Sequence, residues 1–158
     1  MNKKLLLALV AAPVALLTTA CVPVMPGPAG PAPAATVTIT RVIDGDTVET
    51  PSLPEDIRII GIDTPERGHC GFNEASNLMR SLVQGQAAAI PGGARTDRDK
   101  WGRFLRYVDV NGVDVGRQMI ESGWAHARYD SRDGYGRHPR QDAYVAADAA
   151  HNAPACGW

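Results

Sequence analysis

The chain has 158 residues, with 16 basic and 17 acidic side chains and a formal net charge of −1. That length leaves room for one domain with a modest core, and so balanced a charge argues against a general nucleic-acid coat, which would be basic. Arginine outnumbers lysine 13 to 3. Clusters at Arg95, Arg98, Lys100, Arg103 and Arg106, and at Arg128, Arg132, Arg137 and Arg140, favour bidentate contacts to phosphate or carboxylate.

The opening MNKKLLLALVAAPVALLTTAC places Lys3 and Lys4 before an apolar run from Leu5 to Leu17, with small residues leading to Cys21. Residues 1–20 read as a secretory signal, too short for a permanent membrane span. The end of the signal resembles the bacterial lipoprotein processing site, with Thr18 where that site usually has Leu. Cys21 is therefore the expected lipidation site, which would hold the protein on the cell membrane facing away from the cytoplasm. The alternative is an ordinary secreted protein cleaved nearby. Taking Lys3 and Lys4 from the 16 basic residues leaves 14 against 17 acidic, a net charge near −3. Of the three cysteines, a lipidated Cys21 leaves Cys70 and Cys156, which can pair in an oxidising compartment. Such a loop closure would contribute roughly 4 kcal/mol in the chain-entropy model. Residues 21–35, the lipidated Cys and then VPVMPGPAGPAPAA, form an uncharged Pro/Ala-rich spacer without a core.

The domain is expected over residues 36–158. TVTITRV alternates and is rich in β-branched residues, so it predicts a strand, with a second from Asp46. Between them Asp44-Gly45 signals a hairpin in which Gly takes a positive φ. IRIIGI (57–62) predicts a third, buried strand. Asn73 offers a helix cap, followed by Ala75, Leu78, Met79 and Leu82 at helical spacing and a stop at Gly85. QAAAI and RFLRYVDV are further strand candidates. Asn111-Gly112 turns the chain, and Asp114 caps a short helix through Val115, Met119 and Ile120 that ends near Gly123. Pro139 can open a last helix running to about His151. Five short strands with three helices suit a small α+β fold, a five-stranded Greek-key barrel of the OB type.

Two acid-bearing turns, DGDT and DTPE, lie at strand ends. If those strands are neighbours, Asp46, Asp63 and Glu66 converge on one rim, and such oxygen ligands suit a hard cation, calcium above all. Taken alone, each motif would more readily be a turn cap with a solvated Glu66. Arg58 in an apolar strand and Arg103 after Gly102 supply the basic side. Two arginines beside carboxylates suit an anion that gains charge during reaction, such as a phosphodiester. Four histidines, His69, His126, His138 and His151, show no zinc-type pairing and read mostly as solvated. Ser76 and Ser81 have no base at useful spacing.

The ordered set VIDGDTV, RIIGIDTPE, NEAS, DKWGRFLRYV and ESGWAHARY resembles the staphylococcal nuclease (thermonuclease) family over about residues 36 to 158. The resemblance implies an OB barrel with three helices. It implies calcium held by Asp46, Asp63 and the Thr64 carbonyl, with Asp44 as an outer-shell acid. Arg58 and Arg103 would clamp phosphate, and Glu66 would orient or deprotonate the attacking water. Lys100, Trp101 and Tyr129 would contact the phosphate end, the sugar and the base. The implied activity is cleavage of DNA and RNA to 3′-phosphoryl products, with little base specificity and a preference for single-stranded or locally unpaired substrate. Three departures stand out. RGHCGF replaces a longer Lys-rich loop, predicting weaker affinity for long nucleic acid and a shallower salt dependence. The mature chain is acidic, where the best-known secreted member is strongly basic. Tyr135-Gly136-Arg137 repeats the pattern of Trp101-Gly102-Arg103, and the first copy is assigned to catalysis because a strand follows it. A noncatalytic nuclease-like binding domain and a structural envelope lipoprotein are the rival readings, and a monomer is the default.

Overall fold

The computed structural model describes residues 34–151, so the signal, Cys21, most of the linker and Cys156 lie outside the described residues. Ten short strands run as β1 (Thr36–Thr38), β2 (Arg41–Val42), β3 (Thr47–Glu49), β4 (Ile57–Ile59), β5 (Ile62–Asp63), β6 (Ala87–Ala89), β7 (Phe104–Arg106), β8 (Asp109–Val110), β9 (Val113–Asp114) and β10 (His126–Ala127). Three helices, α1 (Phe72–Val83), α2 (Val115–Glu121) and α3 (Gln141–Ala150), complete an α+β fold. None of the described helices is long and apolar enough to cross a membrane.

The strands form three sheets, ordered β1-β6-β8-β9, β10-β5 and β2-β3-β4-β7. A closed five-stranded barrel is not formed among the described residues. The reason is visible in the three long runs of the sequence, each of which bends and changes sheet. TVTITRV breaks after Thr38, where the Ile39 amide donates to the Gln86 carbonyl and the next amide, Thr40, donates to Glu49. IRIIGI breaks at Ile60-Gly61, with Gly61 at φ +77°. RFLRYVDV breaks at Tyr107-Val108, between β7 and β8. Hydrophobic alternation passes through all three bends because Ile39, Ile60, Tyr107 and Val108 are themselves core residues.

That core joins Val37, Val42, Val48, Ile57, Ile59 and Ile62 from the sheets to Ala75, Met79 and Val83 of α1, Met119 and Ile120 of α2, and Tyr144 of α3. Truncating a fully buried member such as Met79 to Ala would cost about 2–5 kcal/mol. Helix α1 is capped by Gly71, not Asn73, which lies in the first turn; Gly71 adopts φ +89° and offers no side-chain cap. Glycine is required there because a Cβ would meet the Trp124 ring at 2.8 Å. Asp114 does cap α2, accepting from the Arg117 amide at 3.1 Å, and α3 begins two residues after Pro139 and ends at Ala150, with His151 as its C-cap.

The Asp44-Gly45 turn differs from expectation in its chemistry. Gly45 is absent from the positive-φ residues, so a primed turn does not explain it. A Cβ at Gly45 would instead lie 2.7–2.9 Å from three atoms of the Thr64 side chain. The turn thus carries glycine so that the end of β5 can press onto the start of β3.

Candidate active site

That close approach builds the centre of the site. Thr64, buried, donates its amide and its hydroxyl to Asp46 Oδ2, at 3.1 and 3.0 Å. Asp46 Oδ1 receives the Thr47 hydroxyl at 3.1 Å. The Asp44 carboxylate accepts the Asp46 amide at 3.1 Å, so Asp44 shapes the turn that presents Asp46. Strand β4 lies between β3 and β7, a position where a charged side chain is costly without a partner. Arg58, at its middle and 8% exposed, has its partners arranged for it: Nη2 stands 3.1 Å from Asp46 Oδ2 and 3.8 Å from Asp63 Oδ1.

Asp46 is held by three hydrogen bonds and a guanidinium, yet its pKa is pushed up to about 6. Burial is the largest cause, Arg58 opposes it, and the neighbouring Asp44 adds to it. Burial thus disfavours the ionised carboxylate, and further positive charge beside it would favour that form. The oxygen-only donor set, with Asp63 Oδ2 and part of Asp46 Oδ1 uncommitted, fits a hard cation. No three His, Cys, Asp or Glu side chains among the described residues converge closely enough to cage a metal. A cation here would rest on two carboxylates, with a backbone carbonyl and water completing its shell.

Asp46, Arg58, Asp44 and Glu66 line a cavity of about 560 Å³, together with Asp99, Lys100, Trp101, Arg103 and Tyr129. Glu66 is exposed there and has no side-chain hydrogen bond or ion pair among the described residues. Asp63 and Thr64 do not line the wall; they stand behind it, through Arg58 and Asp46. Arg103 enters β7, the parallel neighbour of β4. Its Nε donates to Asp99 Oδ2 at 2.7 Å and its amide to Asp99 Oδ1 at 3.0 Å, while Nη1 reaches the Thr47 hydroxyl at 3.5 Å. Lys100 lies over the Trp101 ring at 4.2 Å, and Trp101 is 68% exposed. The Tyr129 hydroxyl donates to Asp63 Oδ1 at 3.2 Å, and the ring lies 5.3 Å from the Arg58 guanidinium carbon. Tyr129 adopts φ +59°, a costly conformation for a bulky residue. Its amide donates to Asp133 at 2.7 Å, which helps hold it there.

Asp99, Tyr135, Arg95, Arg98 and His138 take no individual site role from the sequence, which marks only the arginine cluster that holds Arg95 and Arg98. Asp99 positions Arg103, and its signal was available: Asp at the first and Gly at the fourth position of a turn, Asp99 to Gly102, with a 3.1 Å backbone hydrogen bond. Tyr135 lines the cavity, whereas Arg137 pairs with Asp142 at the surface. Arg95 also lines the cavity. His138 is not solvated: it is 3% exposed, with Nδ1 2.8 Å from the Tyr107 hydroxyl. Nε2 has no partner among the described residues. His126 is likewise half-buried, beside Asp148 at 3.0 Å. Of the cysteines, Cys21 and Cys156 lie outside the described residues.

Residues 56–153 match the family model described as staphylococcal nuclease homologue. A protein named "Uncharacterized endonuclease" from Escherichia coli O157:H7 is 31% identical over 98 residues, covering 59% of this chain and 62% of that one. "Endonuclease YncB" of Bacillus subtilis (strain 168) is 31% identical over 101 residues, covering 59% of this chain and 48% of that one. "Thermonuclease" of Staphylococcus intermedius is 31% identical over 99 residues, covering 58% of each. The chain spans less than two thirds of the length of these relatives. The family match covers well over half of the chain and takes in Arg58, Asp63, Glu66 and Arg103, so this protein belongs to the staphylococcal nuclease homologue family.

Proposed function

We propose that this protein is an exported, metal-dependent endonuclease that hydrolyses phosphodiesters of DNA and RNA. The observation that carries the reading is one arrangement. Arg58 is held between Asp46 and Asp63, while Glu66, whose side chain has no partner among the described residues, and Arg103 line the same cavity. A phosphodiester in that cavity would meet two guanidinium groups and a carboxylate able to take a proton.

Asp46, Asp63 and the Thr64 carbonyl would hold calcium. When bound, it would supply positive charge at a nonbridging phosphate oxygen and hold water near phosphorus. Glu66 accepts the proton of the attacking water as its oxygen bonds to phosphorus. Arg58 and Arg103 stabilise the extra negative charge of the pentacoordinate species, and their carboxylate partners keep both in place beforehand. The bond from phosphorus to the 5′ oxygen then breaks, leaving a 3′-phosphoryl end. Trp101 and Tyr129 offer aromatic faces to sugar and base, which suits single-stranded or locally unpaired substrate with little base specificity. On this reading the protein works as a monomer, lipidated at Cys21 or secreted after cleavage nearby, with Cys70 paired to Cys156. The three sheets are the family's OB barrel, interrupted at its bends.

The test is cleavage of end-labelled single-stranded DNA by the full chain, with calcium and with chelator, followed by analysis of the product ends. Calcium-dependent cleavage leaving 3′-phosphates is expected. Binding without cleavage would move the protein to a noncatalytic role, and chelator-resistant cleavage would place the chemistry elsewhere.

A further inference from the structure

The cavity is larger than the phosphate-cleaving centre needs. Its cations divide into two groups. Arg58 is committed to Asp46 and Asp63, and Arg103 to Asp99. Arg95, Arg98 and Lys100 line the same cavity without a carboxylate partner among the described residues. Cations without a carboxylate partner draw anions into the cavity.

Two of these cations lie outside every role assigned above. Arg98 is pinned: its guanidinium stacks over the Phe104 ring at 3.7 Å, and Nη1 donates to the Gly102 carbonyl at 2.6 Å. Arg95 makes no side-chain hydrogen bond or ion pair among the described residues, and its aliphatic stem lies across Gly136. A Cβ placed on Gly136 would sit 3.5 Å from Arg95 Cδ and 3.7 Å from Nε. Gly136, at φ +96°, lets the 91–103 and 130–139 loops meet there. The residue before it, Tyr135, is 57% exposed. Tyr135 packs edge-to-face on Tyr129, ring centroids 5.2 Å apart at 86°, so it extends the aromatic surface that begins at Tyr129. A guanidinium without a partner and an exposed ring, brought together by one backbone contact, match the phosphate and the base of one nucleotide.

We propose that Arg95 and Tyr135, with Arg98 on the same cavity lining, form a second nucleotide subsite, which holds the nucleotide next along the strand from the scissile phosphodiester. The inference rests on the nuclease reading of the cavity and adds substrate length to it. A dinucleotide fills the centre at Arg58 and Arg103 alone, whereas a longer strand also engages Arg95 and Tyr135. The protein therefore selects strands over dinucleotides, which offsets in part the basic contacts that the short RGHCGF loop lacks.

The test measures binding, so it does not depend on turnover. The full chain carrying Glu66→Gln would be titrated with a thymidine dinucleotide and with an oligothymidylate of about a dozen nucleotides. Both titrations would then be repeated with Arg95→Ala and Tyr135→Ala added, and circular dichroism would confirm the fold. The longer strand should lose about tenfold in Kd or more, as expected for one stacked base and one phosphate contact, while the dinucleotide changes by less than about twofold. Equal losses for both ligands, or no loss for either, would overturn the subsite. If the longer strand binds with this pattern but the wild-type chain never cleaves it, the subsite stands and the nuclease reading fails. If neither ligand binds, both fail.

Discussion

Trp101-Gly102-Arg103 and Tyr135-Gly136-Arg137 share one local design and part ways in what they do. Both glycines are left-handed, at φ +88° and +96°, and both aromatic rings are exposed and line the cavity. The arginines differ. Arg103 enters β7 beside the strand that carries Arg58 and is fastened by Asp99 at two points. Arg137 precedes the turn into α3 and pairs with Asp142 in solvent, both side chains more than 60% exposed. An aromatic-Gly turn delivers an exposed ring wherever it occurs. Whether the next guanidinium is held at the cavity or left in solvent depends on whether a sheet or a helix receives the chain.

The sharpest way to break the comparison is to change both arginines alike. Arg103→Lys removes the paired N–H geometry that a phosphate needs and should slow cleavage about 100-fold or more. Arg137→Lys should stay within about twofold. Steady-state rates on one single-stranded DNA decide it, and equal effects would mean the two copies do not differ in role.

Glycine substitutions come next in size. A Cβ at Gly102 or Gly136 meets no atom closer than 3.5 Å, so Ala at either should cost only the left-handed penalty, about 1–2 kcal/mol. Gly45→Ala acts by another route, driving the Thr64 side chain away from Asp46. It should cost about 1–3 kcal/mol and lower cleavage more than either of the others. Denaturant melts alongside rates separate the two effects.

A smaller effect is expected at His138, which lies under the loop that presents Tyr135. Burial holds its pKa below the usual histidine value, with Asp130 opposing and Arg137, Arg132 and Arg140 reinforcing the shift. The folded state therefore binds this proton less readily than the unfolded chain does. The His138 contribution to stability is complete above the unfolded value of about 6.5 and is lost as pH falls through the lower folded value. His138→Gln can keep a hydrogen bond to Tyr107 and should flatten that part of the stability profile, measured by urea melts between about pH 5 and 8. Smallest of all, Asp142→Ala should leave stability and rate unchanged within error, because its partnership with Arg137 is solvent-exposed.

Much of the site was legible because its residues violate local rules. Asp46 stands immediately before a strand, Arg58 interrupts an apolar run and Asp63 ends one, three places where strand formation alone disfavours a charge. The bends were not legible, because Ile39, Ile60 and Tyr107 continue the apolar pattern straight through a change of sheet. Gly45 was assigned the wrong cause, since a close approach to Thr64, 19 residues on, leaves no local trace. His138 and Tyr135 were missed for the same reason. Their surroundings come from Gly61, Tyr107 and Tyr129, which only the tertiary fold brings near.

In the proposed mechanism Glu66 acts on a phosphodiester held by Arg58 and Arg103. That role is tested most directly by comparing wild type and Glu66→Gln on one single-stranded DNA in calcium, measuring binding and single-turnover cleavage in parallel. The account predicts binding within about twofold of wild type and cleavage reduced by about a hundredfold or more. Cleavage that survives the substitution would contradict it and take the chemistry away from this cavity wall.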